Sequence, residues 1–435
     1  SATKREMMSL SAAFNNAMRR LPEGWSIFVE AQRNSIEEYP KADWPNAACN
    51  KINEERRQLF SSKNSFFTNE YYLTLVHKAP KPMQAKSAGW FVKKSYSETN
   101  SGQSLKDFEN SLQEIEGILK SSFPIFQALS DDETLTYLHS TVSSKRFKIK
   151  TPDVPMYLDH ILCDEAIEHG LGLKVGDNYV RVITISAFPS ESFPGILDSL
   201  NDLGFNFRWS SRFICLGQEG GKKTLENIRR MWFAGRKKLS TVLQEVATQS
   251  ESAMGESGAL NKSDDADAAL QLLDEGHVGF GQFTATISVW DSSDKCADDK
   301  AQKIAGTINR LGFACHIETL NAFDAWLSSI PGNNFANVRK PIIHSLNLAH
   351  MAPLSAIWSG EKINTHLKSA PHFIAKCRGN SPFNFSSNVG DVGHTLIFGP
   401  TGAGKSTLLL QVMCQMAKSE TALYVTGEES LQQVA

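Results

Sequence analysis

The chain has 435 residues, 41% of them hydrophobic and 21% charged, with a formal net charge of −2. It reads as soluble and globular, long enough for about two to three domains, and the near-neutral charge gives no global electrostatic reason to bind nucleic acid, so any DNA contact must be local. Seven cysteines without a CxxC pair exclude a disulfide framework and a zinc site, and no apolar run approaches the ~18 residues of a membrane span.

No signal peptide is read before Ser1. The expectation is a cytoplasmic chain, with peripheral attachment to a membrane complex left open. In chain order, Met7, Leu10, Phe14, Ala17, Met18 and Leu21 recur at helical spacing and predict an amphipathic core helix over 6–21. Trp25–Glu30 and Tyr71–Val76 are β-branched and aromatic and predict two paired strands, with a helix near 53–60 between them. From His77 to Tyr96, lysines 78, 81, 86, 93 and 94 surround Trp90 and Phe91, a mixture that suits a membrane surface or a partner. The basic runs Lys145–Lys150, Arg229-Arg230 and Arg236-Lys237-Lys238 read either as solvated faces or as tracks for phosphates or anionic lipid.

The middle of the chain repeats itself. One copy runs from the strand Tyr179–Ile185 through a helix near 192–203 and Leu203-Gly204-Phe205 into the strand 206–216. The other runs from Phe283–Val289 through a helix over 297–311 and Leu311-Gly312-Phe313 into 314–319. Two strand-helix-strand units predict an α+β fold with ferredoxin-like repeats. Between the copies a long helix over 224–247 and a Ser, Gly and Ala-rich linker over 248–262 are expected. The stretch 331–353, with Pro331, Pro341 and Pro353, reads as irregular chain leading to a nucleotide domain that starts near Asn380. Arg339 within it reads as a trans-acting finger or as a structural clamp on a carboxylate.

The most specific motif comes last. The apolar strand 394–398 runs into Gly399, Pro400, Thr401, Gly402, Ala403, Gly404, Lys405 and Ser406, a complete GxxxxGK[ST] loop, and Thr407 opens a helical run to about 418. The glycines let backbone N–H groups close around phosphate oxygens at a helix N-terminus, and Lys405 reaches the β and γ phosphates. ATP is the expected ligand of 399–407, with Ser406 as the Mg²⁺ ligand. Residues 407–435 leave room for one helix and one strand, so an incomplete α/β P-loop domain is expected over 380–435, after an N-terminal docking region over 1–165 and the duplicated domain over 166–379. Glu428, just past the second strand of this fold, reads equally as a carboxylate that orients the attacking water and as an acid favoured at a helix start.

Several segments resemble the TrbE/CagE class of type IV secretion ATPases, which energise conjugative DNA transfer. They are Leu21-Pro22-Glu23-Gly24-Trp25, Tyr39-Pro40, Tyr71-Tyr72-Leu73-Thr74-Leu75, Ile330-Pro331-Gly332-Asn333, Asn337-Val338-Arg339 and, most closely, 391–406. The tail departs from that class: 406–435, with Val425-Thr426-Gly427-Glu428-Glu429, is similar to the RadA/Sms DNA-repair ATPases, without their four-cysteine zinc finger. Both resemblances imply a RecA-like core with Lys405 as a catalytic residue, and the second implies Glu428 as well. The first implies a hexamer at the cytoplasmic face of the bacterial inner membrane, partnered by inner-membrane components of the secretion complex, with DNA contact undecided. A Walker B carboxylate is not found, which leaves an ATPase, a non-hydrolysing docking scaffold and a DNA-repair ATPase as the readings.

Overall fold

A computed structural model describes residues 3–36, 39, 47–61, 66–78, 99–170, 172–189, 191–217, 220–223, 226, 276–336, 339, 341–388, 390 and 392. Helix α1 (Lys4–Met18) begins at a capping box in which the Thr3 hydroxyl accepts the Glu6 N–H and the Glu6 carboxylate accepts the Thr3 N–H. This satisfies donors that a helix start otherwise leaves open. Its Met7, Phe14, Ala17 and Met18 are buried, as the spacing predicts. Strands β1 (Trp25–Ser35) and β2 (Phe67–His77) pair antiparallel from Trp25 opposite His77 to Ser35 opposite Phe67, and α2 (Ala47–Phe60) lies between them in the chain.

Helices α3 (Thr99–Ser122), α4 (Asp131–Val142) and the short α5 (Leu158–Leu162) follow. The chain then lays down β3 (Ile167–Glu168), β4 (Leu173–Val175), β5 (Asn178–Ala187), β6 (Phe207–Leu216) and β7 (Phe280–Asp291). It continues through α6 (Asp294–Arg310), β8 (Ala314–Ile317), α7 (Ala322–Ser328), β9 (Ile342–His344) and α8 (Ser345–Met351) to a separate hairpin of β10 (Phe373–Lys376) and β11 (Pro382–Phe385). Among the described residues nine strands form one antiparallel sheet in the order β2-β1-β6-β7-β5-β4-β3, with β8 also on β5 and β9 also on β7.

The four strands of the sequence repeat lie side by side as β6-β7-β5-β8, but the two copies differ in their connections. The second carries the expected helix as α6. The first does not: over 192–203 there is a turn and a 3₁₀ helix, Asp198–Asp202, in place of an α-helix. Pro194 disfavours helical backbone at Phe193, and Gly195 sits at φ +75°, a conformation no α-helix contains. The stretch 331–353 is not irregular throughout either, since it forms β9 and α8. Pro341 directly precedes β9, a position where its missing N–H costs no ladder bond. The expected helix over 224–247 and linker over 248–262 fall outside the described residues, apart from Glu226.

The two faces of the sheet differ in chemistry. On one, Phe14 and Met18 of α1, Ile115 and Leu119 of α3, Ile304 and Ile308 of α6 and Leu348 of α8 form a single apolar core with Ile27, Val29, Trp209, Phe213, Phe283 and Ile287. On the other, a smaller apolar cluster of Val180, Val182, Ala325 and Trp326 borders a layer of polar side chains. At one point β6 and β7 approach so closely that a Cβ on Gly281 would stand 2.4 Å from the Phe213 ring, so only glycine fits there.

α8 is capped by an imidazole, His344 Nδ1 accepting the Asn347 N–H at 3.1 Å. Burial, with a smaller contribution from the neighbouring His350, lowers His344 from 6.5 to about 4. A depressed folded pKa means that the stability it supplies is present above 6.5 and is lost as pH falls from 6.5 through about 4, by on the order of 2 kcal/mol for a half-buried group. His344→Asn keeps a cap acceptor and removes the titration. Urea unfolding of this variant between pH 7 and 4.5 should therefore show a shallower loss of stability than the parent, and identical slopes would contradict the assignment.

Candidate functional site

The phosphate-loop residues 399–407, with Lys405 and Ser406, and the tail carboxylate Glu428 lie outside the described residues, as do the basic cluster 81–94 and the cations 229–238. What the structure describes is the chain that leads to the loop and the way that chain is held. The hairpin β10–β11 docks on the sheet through its turn. Arg33, at the end of β1 and fully buried, donates from Nε to the Leu203 carbonyl at 2.8 Å, from Nη1 to Asn69 Oδ1 at 2.9 Å, and from Nη2 to the Gly379 carbonyl. Its guanidinium also lies over the Phe67 ring at 4.8 Å. Burial lowers Arg33 to about 10, against the opposing influence of Tyr71 and Asp202.

Two further contacts fix the same turn. Arg378 makes a two-pronged pair with Asp202, Nε at 3.0 Å from Oδ1 and Nη2 at 2.6 Å from Oδ2. Gly379 sits at φ +64°, and a Cβ there would meet the Asn201 carbonyl at 2.3 Å. Gly379 is therefore required both by its backbone conformation and by the close approach of the 3₁₀ turn. The hairpin carries an aromatic surface, with Phe373 and Phe385 stacked at 4.6 Å and Trp358 edge-on to Phe383 at 5.7 Å. A two-stranded hairpin is marginal by itself, and Arg33 ties this one to the nine-stranded sheet.

The second constellation is the polar layer. Glu30, 0% exposed, takes both prongs of Arg208, Nε at 2.5 Å and Nη2 at 2.8 Å, and accepts the Tyr137 hydroxyl at 3.2 Å and Gln32 Nε2 at 2.7 Å. Burial first, and then the Glu30 carboxylate, raise Tyr137 well above its usual range, so the phenol stays a donor. Arg208 is completed by Ser329, whose hydroxyl accepts at 2.8 Å and whose carbonyl accepts from Nη2. Such a pair is a structural lock: desolvation consumes much of the Coulomb gain, but removal of one partner strands the other.

Of the sequence candidates, Arg339 proves to be a clamp. Its Nε lies 3.3 Å from Glu318 Oε1, and Glu318 is buried. The run Lys145–Lys150 forms neither strand nor helix; it is tied to α4 by the Ile149 N–H on Thr136 Oγ1 at 2.9 Å and to the cap of that helix by Arg146 on the Ser143 carbonyl at 2.9 Å. The sequence reading missed Glu30, Arg33, Arg208 and Arg212. The available signal was a charge flanked by large apolar residues inside a strand, as in Phe207-Arg208-Trp209 and Arg212-Phe213. Among the described residues no helix is long and apolar enough to cross a membrane and no cluster could hold a metal ion.

The chain is similar to known proteins over nearly its whole length. Residues 1–85 match the N-terminal domain of type IV secretion system ATPases VirB4/TrbE, and residues 118–339 match the CagE, TrbE, VirB family, component of type IV transporter system. The conjugal transfer protein TrbE of Rhizobium radiobacter is 30% identical, over 96% of this chain and 53% of its own length. The type IV secretion system protein virB4 of Bartonella quintana is 21% identical, over 94% of this chain and 51% of its own. The chain thus spans about half the length of these relatives. The DNA repair protein RadA of Haemophilus influenzae is 82% identical over 40 residues, 9% of this chain.

The polar layer gives the test. Glu30→Gln keeps shape and one acceptor but leaves Arg208 without its carboxylate, so urea unfolding at neutral pH should report a loss of about 3–5 kcal/mol. A change below about 1 kcal/mol would mean that the pair contributes no more than an exposed one.

Proposed function

The chain belongs to the CagE, TrbE, VirB family of type IV transporter components, and from that premise we propose that it is the ATP-binding subunit of a conjugative DNA transfer apparatus. The observation that carries this reading is the complete phosphate-loop motif at 399–406, in sequence that predicts a strand before it and a helix after it, in a chain whose residues 1–85 and 118–339 match type IV secretion family models. The donor set fits the nucleotide: glycine N–H groups for the phosphates, the Lys405 ammonium for the β and γ oxygens, and the Ser406 hydroxyl for a Mg²⁺ ion. When bound, the metal neutralises phosphate charge. Lys405 holds the transferring group, and Glu428 orients the water that attacks it.

In the same proposal the sheet region docks on inner-membrane components at the cytoplasmic face, the subunits assemble as a homo-oligomer, and attachment to the membrane is peripheral. The similarity to TrbE and virB4 proteins supports this assignment. The division into 1–165, 166–379 and 380–435 belongs to it as well. The strand order β6-β7-β5-β8, with α6 between β7 and β8, supports reading the repeat as a ferredoxin-like unit whose first helix has shrunk to a 3₁₀ turn. The 40 residues similar to RadA favour a RecA-like nucleotide core and carry the second reading, a DNA-repair ATPase.

Lys405→Ala removes the phosphate-facing charge and leaves the sheet untouched. Titration with a fluorescent ATP analogue should show affinity reduced by at least about tenfold, or 1.4 kcal/mol, with an unchanged circular dichroism spectrum. Binding as tight as the parent's would remove the phosphate loop from the site.

A further inference from the structure

β2 is the outermost strand of the nine-stranded sheet and pairs with β1 alone. Which of its backbone groups face outward follows from the two hydrogen bonds that close this ladder. The Lys78 N–H donates to the Gly24 carbonyl and the Ile36 N–H to the Phe66 carbonyl, each at 2.9 Å. Both pairs continue the register that sets Trp25 opposite His77 and Ser35 opposite Phe67. Hydrogen-bonded pairs alternate with unbonded ones along an antiparallel ladder. The even-numbered residues of β2 therefore turn their N–H and C=O toward β1, and Asn69, Tyr71, Leu73, Leu75 and His77 turn theirs away. Among the described residues none of these outward backbone groups has a hydrogen-bond partner.

An open edge is a template for another strand, and soluble proteins blunt it with Lys, Pro, a bulge or a very short edge strand. At the far end of this sheet the edge strand β3 has two residues. β2 has eleven, its register to β1 runs without a bulge, and Phe67–His77 contains no Lys, Arg, Pro or Gly. Glu70 is its one carboxylate, and every residue from Asn69 to His77 is at least partly exposed.

We infer that β2 is a homodimer interface, pairing antiparallel with β2 of a second copy about a two-fold axis normal to the sheet and centred on Leu73. The strand fits itself. With that centre Leu73 meets the second copy's Leu73, Tyr71 stands opposite Leu75, Asn69 opposite His77, Tyr72 opposite Thr74 and Glu70 opposite Val76, and each contact occurs twice, as an isologous interface requires. Every outward-facing residue meets another outward-facing residue, so the free N–H and C=O groups of both edges are satisfied together. An axis normal to the sheet also keeps the faces apart. Tyr71, Leu73 and Leu75, which pack on the apolar core, continue that face across the junction, while Tyr72, stacked on Tyr137 at 4.1 Å, stays on the polar side. The lone carboxylate falls opposite Val76, so no like charges oppose each other. A centre on Tyr72 would set His77 opposite Phe67, which is fully buried beneath Arg33. The inference names one interface of the proposed homo-oligomer and stands on the sheet edge, not on the nucleotide reading.

The experiment is sedimentation velocity of the full chain without nucleotide, at concentrations up to about 100 μM. The parent should dimerise reversibly. Val76→Glu sets a carboxylate opposite Glu70 at both symmetric positions and Val76→Lys sets an ammonium there. The dissociation constant of the Glu variant should exceed that of the Lys variant by at least about tenfold, a ratio that shrinks in about 1 M salt. Leu73→Pro removes the N–H at the centre of the outer edge and spares the ladder to β1, so it should leave a monomer that binds a fluorescent ATP analogue as the parent does. If that variant does not fold, residue-resolved hydrogen exchange of the parent replaces it: amides of 69, 71, 73, 75 and 77 should gain protection as concentration rises, while the even-numbered amides are protected throughout. A parent that stays monomeric yet binds the ATP analogue would overturn the interface and leave the nucleotide reading standing. An oligomer equally stable in both Val76 variants would also overturn it, and would assign the homo-oligomer to other surfaces.

Discussion

The structure depends on β1 keeping its register, because that strand carries a buried charge to each face of the sheet. Glu30 points into the polar layer, and Arg33 emerges on the opposite face, under the turn of the β10–β11 hairpin. A slip of one residue would put Glu30 into the apolar core beside Trp209 and Phe213, turn Ile27 and Val29 out of it, and strand Arg208 on the other side. The antiparallel ladders to β2 and β6 hold the strand in place, from Trp25 opposite His77 on one side to Arg33 opposite Phe207 on the other. Hydrophobic burial supplies most of the folding free energy, and the two charges select which pairing of the strands is the native one.

From that strand the structure reaches toward function in two directions. Through Glu30 and Arg208 it anchors α4, by way of Tyr137, and the end of α7, by way of Ser329. Through Arg33 it fixes the hairpin whose last strand ends at Phe385, with 13 residues between it and the proposed phosphate loop at Gly399. Arg378 on Asp202 adds an exposed pair at the same turn, worth little alone, and Gly379 allows the backbones to touch. The region matching the secretion family and the segment leading to the proposed phosphate loop are therefore joined by specific contacts around one guanidinium.

Much of this architecture was legible in the sequence, for identifiable reasons. The α1 face, the β1–β2 pair and α6 carry strong periodicity, and tertiary packing agreed with it. The helix expected over 192–203 fails because Pro194-Gly195 outweighs the apolar spacing of Ile196, Leu197 and Leu200, which are buried all the same. β9 and α8 were hidden because a three-residue strand and a seven-residue helix are too short to show a period. The buried charges could not be read, since an Arg or Glu in a strand reads as exposed until its partner, here 178 residues away, is known. The phosphate loop proposed at 399–406 is the opposite case, a motif read from residue types and spacing alone.

The central claim, that Arg33 on β1 holds the hairpin leading toward the proposed phosphate loop, is tested most directly by hydrogen exchange of the full chain. Arg33→Met keeps an apolar stem on Phe67 and removes every donor to Leu203, Asn69 and Gly379. The account predicts that amides of 373–385 exchange at least about tenfold faster in the variant while those of β6 and β7 keep their protection. Unchanged protection across 373–385, with the same variant folded, would contradict it.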